Sequence, residues 1–110
     1  MLFSVLLSVY NKESGVNLNS SLESVLVNQT VLPDQIVLVV DGFIREELEN
    51  IIERFCASFD NFNVLRLNST KGLANALNEG LKSCDHEIIF RMDTDDICLP
   101  NRFETQLKFM

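Results

Sequence analysis

The sequence predicts an α/β fold, a three-layer α/β/α arrangement around a mainly parallel sheet. Short apolar runs near residues 2–9, 35–40, 62–67 and 87–92 alternate with segments whose apolar residues recur at helical spacing. The runs at 2–9 and 36–40 are apolar on consecutive residues rather than on alternate ones, as strands covered on both faces require. Right-handed crossovers then distribute the helices over the two faces, and every strand ends at the same edge of the sheet.

The first strand, 2–9, is bounded by the polar stretch Tyr10-Asn11-Lys12-Glu13-Ser14-Gly15, which places a turn near Asn11. Leu18, Leu22, Val25 and Leu26 then mark one face of a helix, stopped by Asn28-Gln29-Thr30 and Leu32-Pro33-Asp34. Ile36-Val37-Leu38-Val39-Val40 is β-branched almost throughout and reads as a central parallel strand ending in Asp41-Gly42. Leu48, Ile51, Ile52, Phe55 and Phe59, set among charged residues, form an amphipathic helix of roughly four turns. Asn61 breaks it. The third strand, 62–67, leads into the loop Asn68-Ser69-Thr70-Lys71-Gly72, and Leu73, Ala76, Leu77, Gly80 and Leu81 give a short helix. Ala74 and Gly80 leave one side of that helix small enough to lie close to a neighbouring backbone. The fourth strand, 87–92, runs into Asp93-Thr94-Asp95-Asp96, after which Pro100 opens a last helix with Phe103, Leu107 and Met110 as its buried stripe.

A chain of 110 residues with 46% hydrophobic content builds one core, so a single unit is expected. The net charge of -7, from 9 basic against 16 acidic residues with no basic cluster, argues against a nucleic-acid surface. Cys56, Cys84 and Cys98 are too few and too widely spaced for a disulfide framework or a cysteine zinc site, and read as core or near-core thiols in a reducing compartment. The apolar opening lacks a basic flank and a cleavage site, so it reads as a strand rather than a targeting signal. The Asn-x-Ser/Thr matches at Asn19, Asn28 and Asn68 are then chance matches.

Open α/β sheets bind ligands outside the carboxyl ends of their strands. That edge collects Tyr10–Gly15, Asp41-Gly42, Asn68–Gly72 and Asp93–Asp96. Asp93 and Asp95 could present carboxylate oxygens to a hard ion such as Mg²⁺ or Mn²⁺, leaving positions for a substrate's phosphates. The alternative is a solvated acidic loop capping the next helix. Asp41-Gly42 is either a strand-ending turn or a carboxylate that accepts from a nucleobase imide or a sugar hydroxyl, with Gly42 permitting close approach. Lys71 is either a point charge for a phosphate, helped by the following helix N-terminus, or an exposed lysine beside a turn glycine. His86, the only histidine, begins a strand at the opposite end and is expected to face solvent. No G-x-G-x-x-G follows the first strand and no G-K-[ST] occurs, which sets aside dinucleotide oxidoreductases and P-loop hydrolases.

Several motifs together resemble the nucleotide-sugar-binding portion of a family 2 inverting glycosyltransferase of the kind that builds bacterial polysaccharides. They are Ser8-Val9-Tyr10-Asn11, Gln29-Thr30 with Pro33-Asp34, Val39-Val40-Asp41-Gly42, Lys71-Gly72-Leu73-Ala74 through Asn78-Glu79-Gly80-Leu81, and Arg91-Met92-Asp93-Thr94-Asp95-Asp96 followed by Pro100-x-Arg102-Phe103-x-x-Gln106. The resemblance implies a nucleotide-diphospho-sugar transferase-like (GT-A) domain, truncated at 1–110, with spatial strand order 3-2-1-4. Tyr10 and Asn11 would border the nucleoside, uridine in preference to guanosine, and Asp41 would read the base. Asp93 would lie toward the ribose or sugar and Asp95 toward the metal-bound diphosphate, the two holding Mg²⁺ or Mn²⁺. The sequence departs from the pattern at Val40, where many members carry a second aspartate, and at Leu77, where many carry Arg. Diphosphate binding should then lean more heavily on the metal.

Related enzymes continue for roughly as many residues again, adding the acceptor site and the base. No catalytic residue is therefore assigned within 1–110, Glu13 and Glu79 being poorly placed, and the isolated chain is expected to be inactive. The implied partners are a nucleoside-diphosphate-sugar donor and a saccharide or lipid-linked acceptor, at the cytoplasmic, inner face of the membrane. Self-association through the open edge of the fourth strand is expected as well. The competing class is a noncatalytic α/β module whose acidic edge docks a protein. A sugar-nucleotide pyrophosphorylase would need a glycine-rich loop after the first strand, which Tyr10-Asn11-Lys12-Glu13 is not.

Overall fold

The computed structural model describes residues 2–94 and 97–109. Its elements follow one another as β1 (Phe3–Val9), α1 (Gly15–Leu26), β2 (Gln35–Val40), α2 (Glu46–Ser58), β3 (Phe62–Arg66), α3 (Leu73–Leu81), β4 (Ile88–Arg91) and α4 (Arg102–Lys108). The four strands form one sheet in the order β3-β2-β1-β4, and every pairing is parallel. Both the strand order and the three layers agree with expectation.

Strand limits differ by a residue where a side chain or an edge intervenes. Leu2 lies outside β1 because the Phe3 N–H donates to Asp34 Oδ2 at 2.8 Å, which ends the ladder there. At the other end the pairing outlasts the strands: Leu67 N–H donates to Val40 O at 2.9 Å and Met92 N–H to Leu6 O at 3.1 Å. These two bonds bring the loops after β3 and β4 to the carboxyl edge in fixed register.

Side-chain alternation divides the core. Phe3, Val5, Leu7 and Val9 of β1 join Ile36, Leu38 and Val40 of β2 beneath α1, α2 and Phe103 of α4. Leu18 and Leu22 on α1 and Leu48 and Ile52 on α2 are fully buried there, each contributing about 2 kcal/mol by removal from water. The opposite face, with Leu6, Val37 and Val39, is covered by α3 through Ala76. Gly80 lets that helix sit down: a Cβ there would stand 2.5 Å from Leu6 Cδ1 and 2.6 Å from Val39 Cγ2. The close approach is thus to side chains of the sheet, and Ala74, also assigned to it, is exposed.

Three further expectations need correction. Pro100 does not open the last helix, which starts at Arg102, because its carbonyl is taken by Thr30 N–H at 2.7 Å and holds the entry loop instead. Leu73 matches the apolar spacing of α3 but is exposed, since the first turn of the helix stands at the mouth of the cleft described below. Cys56 is exposed on the outer side of α2, whereas Cys84 is half-buried and Cys98 buried. His86 is half-buried just ahead of β4, and Met110, expected in the stripe of α4, lies outside the described residues. Among the described residues no helix is long and apolar enough to cross a membrane.

Candidate functional site

At the end of β2, Asp41 is 5% exposed, and its backbone N–H continues the ladder by donating to Val9 O at 2.8 Å. Its carboxylate turns away from solvent. Oδ1 accepts from Lys71 N–H at 2.7 Å and Oδ2 from Gly72 N–H at 3.1 Å, so one side chain ties the loop after β3 to the end of β2. Such charge-assisted bonds to main-chain donors are among the stronger ones in a protein. Gly42 follows at φ 84°, and a Cβ there would meet Thr70 Oγ1 at 2.5 Å and Thr70 N at 2.8 Å. The close approach that Gly42 permits is to the chain's own loop.

At the end of β1, the 10–14 loop is held from the β2–α2 connection. Asn11 Oδ1 accepts the Arg45 backbone N–H at 2.7 Å. The Arg45 guanidinium donates to the carbonyls of Asn11 and Glu13, the latter at 2.7 Å. Its planar fork suits two carbonyls of one loop. Glu13 in turn accepts from Ser14 N–H through Oε1 at 3.0 Å and from Thr94 Oγ1 through Oε2 at 3.0 Å. Tyr10 is half exposed and faces the cleft.

The acidic turn after β4 is fastened mainly to α1 and the residues that follow it. Ser21 Oγ donates to Thr94 O at 2.6 Å, Ser24 Oγ accepts from Cys98 N–H at 3.1 Å, and Gln29 Nε2 donates to Leu99 O at 2.8 Å. Thr94 is buried while its neighbour Asp93 is exposed, and no hydrogen bond or ion pair to the Asp93 carboxylate is found among the described residues. Asp95 and Asp96 lie outside the described residues.

These three strand ends enclose a cleft of about 470 Å³, lined by Tyr10, Glu13, Asp41, Thr70, Leu73 and Asp93 among others. It is concave, with apolar walls and a few convergent polar groups, as small-molecule sites are. Two of its carboxylates, Asp41 and Glu13, already accept internal hydrogen bonds, and Asp93 accepts none among the described residues.

Residues 4–110 match the model of the family described as Glycosyl transferase family 2. The chain belongs to this family. It is 49% identical over 109 residues to the amylovoran biosynthesis glycosyltransferase AmsE of Erwinia amylovora, covering 99% of this chain and 40% of that protein. It is 40% identical over 108 residues to an Escherichia coli UDP-Gal:alpha-D-GlcNAc-diphosphoundecaprenol beta-1,3-galactosyltransferase, covering 98% and 38%. Among solved structures, S. aureus TarS 1-349 in complex with UDP-GlcNAc superposes with a TM-score of 0.83 at 26% identity, covering 99% of this chain and 31% of that one. The chain thus spans about two fifths of the length of these two curated relatives.

Within this family 2 domain the site residues named from sequence fare differently. Tyr10, Asp41 and Asp93 come together on one cleft. Asn11 and Lys71 are not among its lining residues: the Asn11 side chain is occupied by Arg45, and Lys71 contributes its backbone N–H to Asp41 while its side chain is exposed. Among the described residues no group of three or more His, Cys, Asp or Glu is gathered for a metal ion. Asp93, exposed on the cleft and without a hydrogen-bond partner among the described residues, offers carboxylate oxygen, the type of ligand that a hard divalent cation accepts. Burial pushes the Cys84 thiol up, with Asp85 adding to it, and burial likewise raises Cys56 against the opposing pull of Arg66, so neither thiol is activated as a nucleophile. Sequence reading passed over Leu73 and Thr94 as cleft-lining residues, and Arg45 as the one that holds the 10–14 loop. The available signal was Ser21 and Ser24, two small polar residues on the buried side of α1, which mark a helix packed against polar backbone.

Proposed function

We propose that this family 2 chain carries the donor-binding half of an enzyme that moves a sugar, with inversion, from a nucleoside-diphosphate sugar to a saccharide or lipid-linked saccharide. The observation that carries the reading is the convergence of Tyr10, Asp41 and Asp93, from three separate strand ends, on one cleft. Tyr10 offers an aromatic wall to the nucleoside, with Asn11 behind it in the same loop. Asp41 retains a lone pair on each oxygen after bonding Lys71 and Gly72, enough to accept from a base imide. Lys71, on the rim, adds positive charge toward the phosphates.

Asp93, together with Asp95, would hold Mg²⁺ or Mn²⁺. Such an ion offsets the negative charge that develops on the departing nucleoside diphosphate. The named donor of the E. coli relative and the ligand of the TarS structure are both UDP-sugars, which supports uridine as the base. The diphosphoundecaprenol acceptor of that relative supports a lipid-linked acceptor, and with it work at the cytoplasmic face of a membrane. We place the base that takes the acceptor's proton outside the described residues. Glu13 is held by Ser14 and Thr94, and Glu79 pairs with Lys82 at 3.2 Å on α3. The outer edge of β4, unpaired among the described residues, is where a further strand or a second copy would add.

Calorimetry with UDP and Mn²⁺ tests the reading. Saturable heat in the wild type, weakened at least tenfold in Asp93→Ala and in Asp95→Ala, is expected. Absence of heat with any nucleoside diphosphate would favour a protein-interaction module.

A further inference from the structure

We infer that Glu13 and Thr94 act as a pair of positioning residues for the acidic turn, so that the loop bordering the nucleoside also sets where the Asp93 carboxylate stands. The inference rests on the donor-site reading above. Thr94 is gripped on both sides: its carbonyl accepts from Ser21 Oγ at 2.6 Å, and its hydroxyl donates to Glu13 Oε2 at 3.0 Å across 81 positions of sequence. It is 3% exposed, whereas Asp93 next to it is exposed on the cleft.

A residue fixed at both its main-chain and side-chain oxygens fixes the course of the main chain beside it. With no hydrogen-bond partner of its own among the described residues, the exposed Asp93 carboxylate takes its place on the cleft from the main chain that Thr94 holds. Glu13 can bear this load because it is anchored in turn. Its second oxygen accepts from Ser14 N–H at 3.0 Å and its carbonyl from the Arg45 guanidinium at 2.7 Å. The line of contacts runs from Arg45 at the head of α2, through Glu13, to Thr94 and so to Asp93.

Glu13 thus has a task within the fold, one oxygen accepting from Thr94 and the other from Ser14. Contacts behind a ligating group that set its place commonly cost 10- to 100-fold in metal binding when lost, and the Glu13–Thr94 bond holds the main chain that carries Asp93.

The test compares Thr94→Val, which keeps the shape and removes the hydroxyl, with Thr94→Ser, which keeps the hydroxyl. Both are read by Mn²⁺ titration followed by electron paramagnetic resonance and by calorimetry with UDP plus Mn²⁺. Thr94→Val should weaken both at least tenfold, Thr94→Ser should remain within about twofold of wild type, and uridine binding without metal should be unchanged in either. Glu13→Ala should reproduce Thr94→Val, and Glu13→Gln, which can still accept from Thr94, should recover most of the loss. This second pair decides the matter if Thr94→Val melts below the working temperature. Wild-type affinity in Thr94→Val or Glu13→Ala would overturn the inference while leaving the donor site standing, as would equal losses in Thr94→Val and Thr94→Ser. A wild-type protein that binds neither Mn²⁺ nor UDP would overturn both.

Discussion

The ends of β2 and β4 each deliver an aspartate to the same cleft, yet the two are opposites. Asp41 is buried, and each of its oxygens accepts a main-chain N–H from the loop ahead of α3. Asp93 is exposed and unengaged among the described residues. The first carboxylate is tied into the wall of the site and keeps only its remaining lone pairs for a ligand, whereas the second has no internal partner among the described residues. The order in the sheet explains the difference: β2 is flanked on both sides, by β3 and β1, so its end is covered by the neighbouring loop, whereas β4 is at the edge.

The contrast is sharpest in stability. Asp41→Ala removes the charged acceptor of two part-buried N–H bonds near the head of α3, and bonds to charged groups contribute on the order of 1.5–3 kcal/mol each. A loss of about 3 kcal/mol is expected, with Tm falling by more than about 10 °C for a domain of this size. Thermal unfolding followed by circular dichroism measures it. A variant that melts like the wild type would show that the Asp41 clamp is dispensable and move the residue into the same class as Asp93. Because the 68–72 loop borders the cleft, nucleotide binding should fall with stability in this variant, so the two effects cannot be separated by Asp41→Ala alone.

Gly42→Ala isolates the architectural part. The added methyl demands a left-handed backbone at φ 84° and a place 2.8 Å from the Thr70 backbone nitrogen, which cannot yield as a side-chain tip can. Left-handed strain of about 1 kcal/mol and crowding of at least about 1 kcal/mol together predict a loss of about 2 kcal/mol or more, measured by urea denaturation at constant m-value. No acceptor is lost from the cleft. Nucleotide affinity measured well below the Tm should therefore change less than in Asp41→Ala.

What could be read from the chain divides along the same line. The sheet was legible because Ile36–Val40 is apolar without interruption and Leu2–Val9 is broken only by Ser4 and Ser8, a pattern that strands covered on both faces require. Asp93 was legible as a strand-end acid for the same reason. The partners of Asp41 were not, since main-chain N–H groups of Lys71 and Gly72 leave no mark in the choice of side chains. Thr94 escaped notice because its contacts, Glu13 and Ser21, lie 81 and 73 positions away and are ordinary residues in their own segments. Leu73 misled in the other direction: its spacing is that of a buried helix face, but the sheet beneath ends before the first turn of α3 begins.

The smallest effect on stability, and the most specific on binding, belongs to Asp93→Asn. The side chain is exposed and makes no contact among the described residues that the amide would break, so Tm should stay within about 2 °C of wild type. The substitution also removes one negative charge from a chain whose net charge is -7, which if anything favours the compact state. Affinity for UDP in the presence of Mn²⁺ should nevertheless drop at least tenfold, because an amide oxygen is a weaker ligand for a hard cation than a carboxylate. Uridine affinity, which involves no phosphate, should hold. A large fall in Tm would mean that Asp93 is engaged within the fold as Asp41 is, and an unchanged UDP affinity would mean that the ion, if bound, relies on other oxygens. Either result would erase the division of labour between the two strand ends.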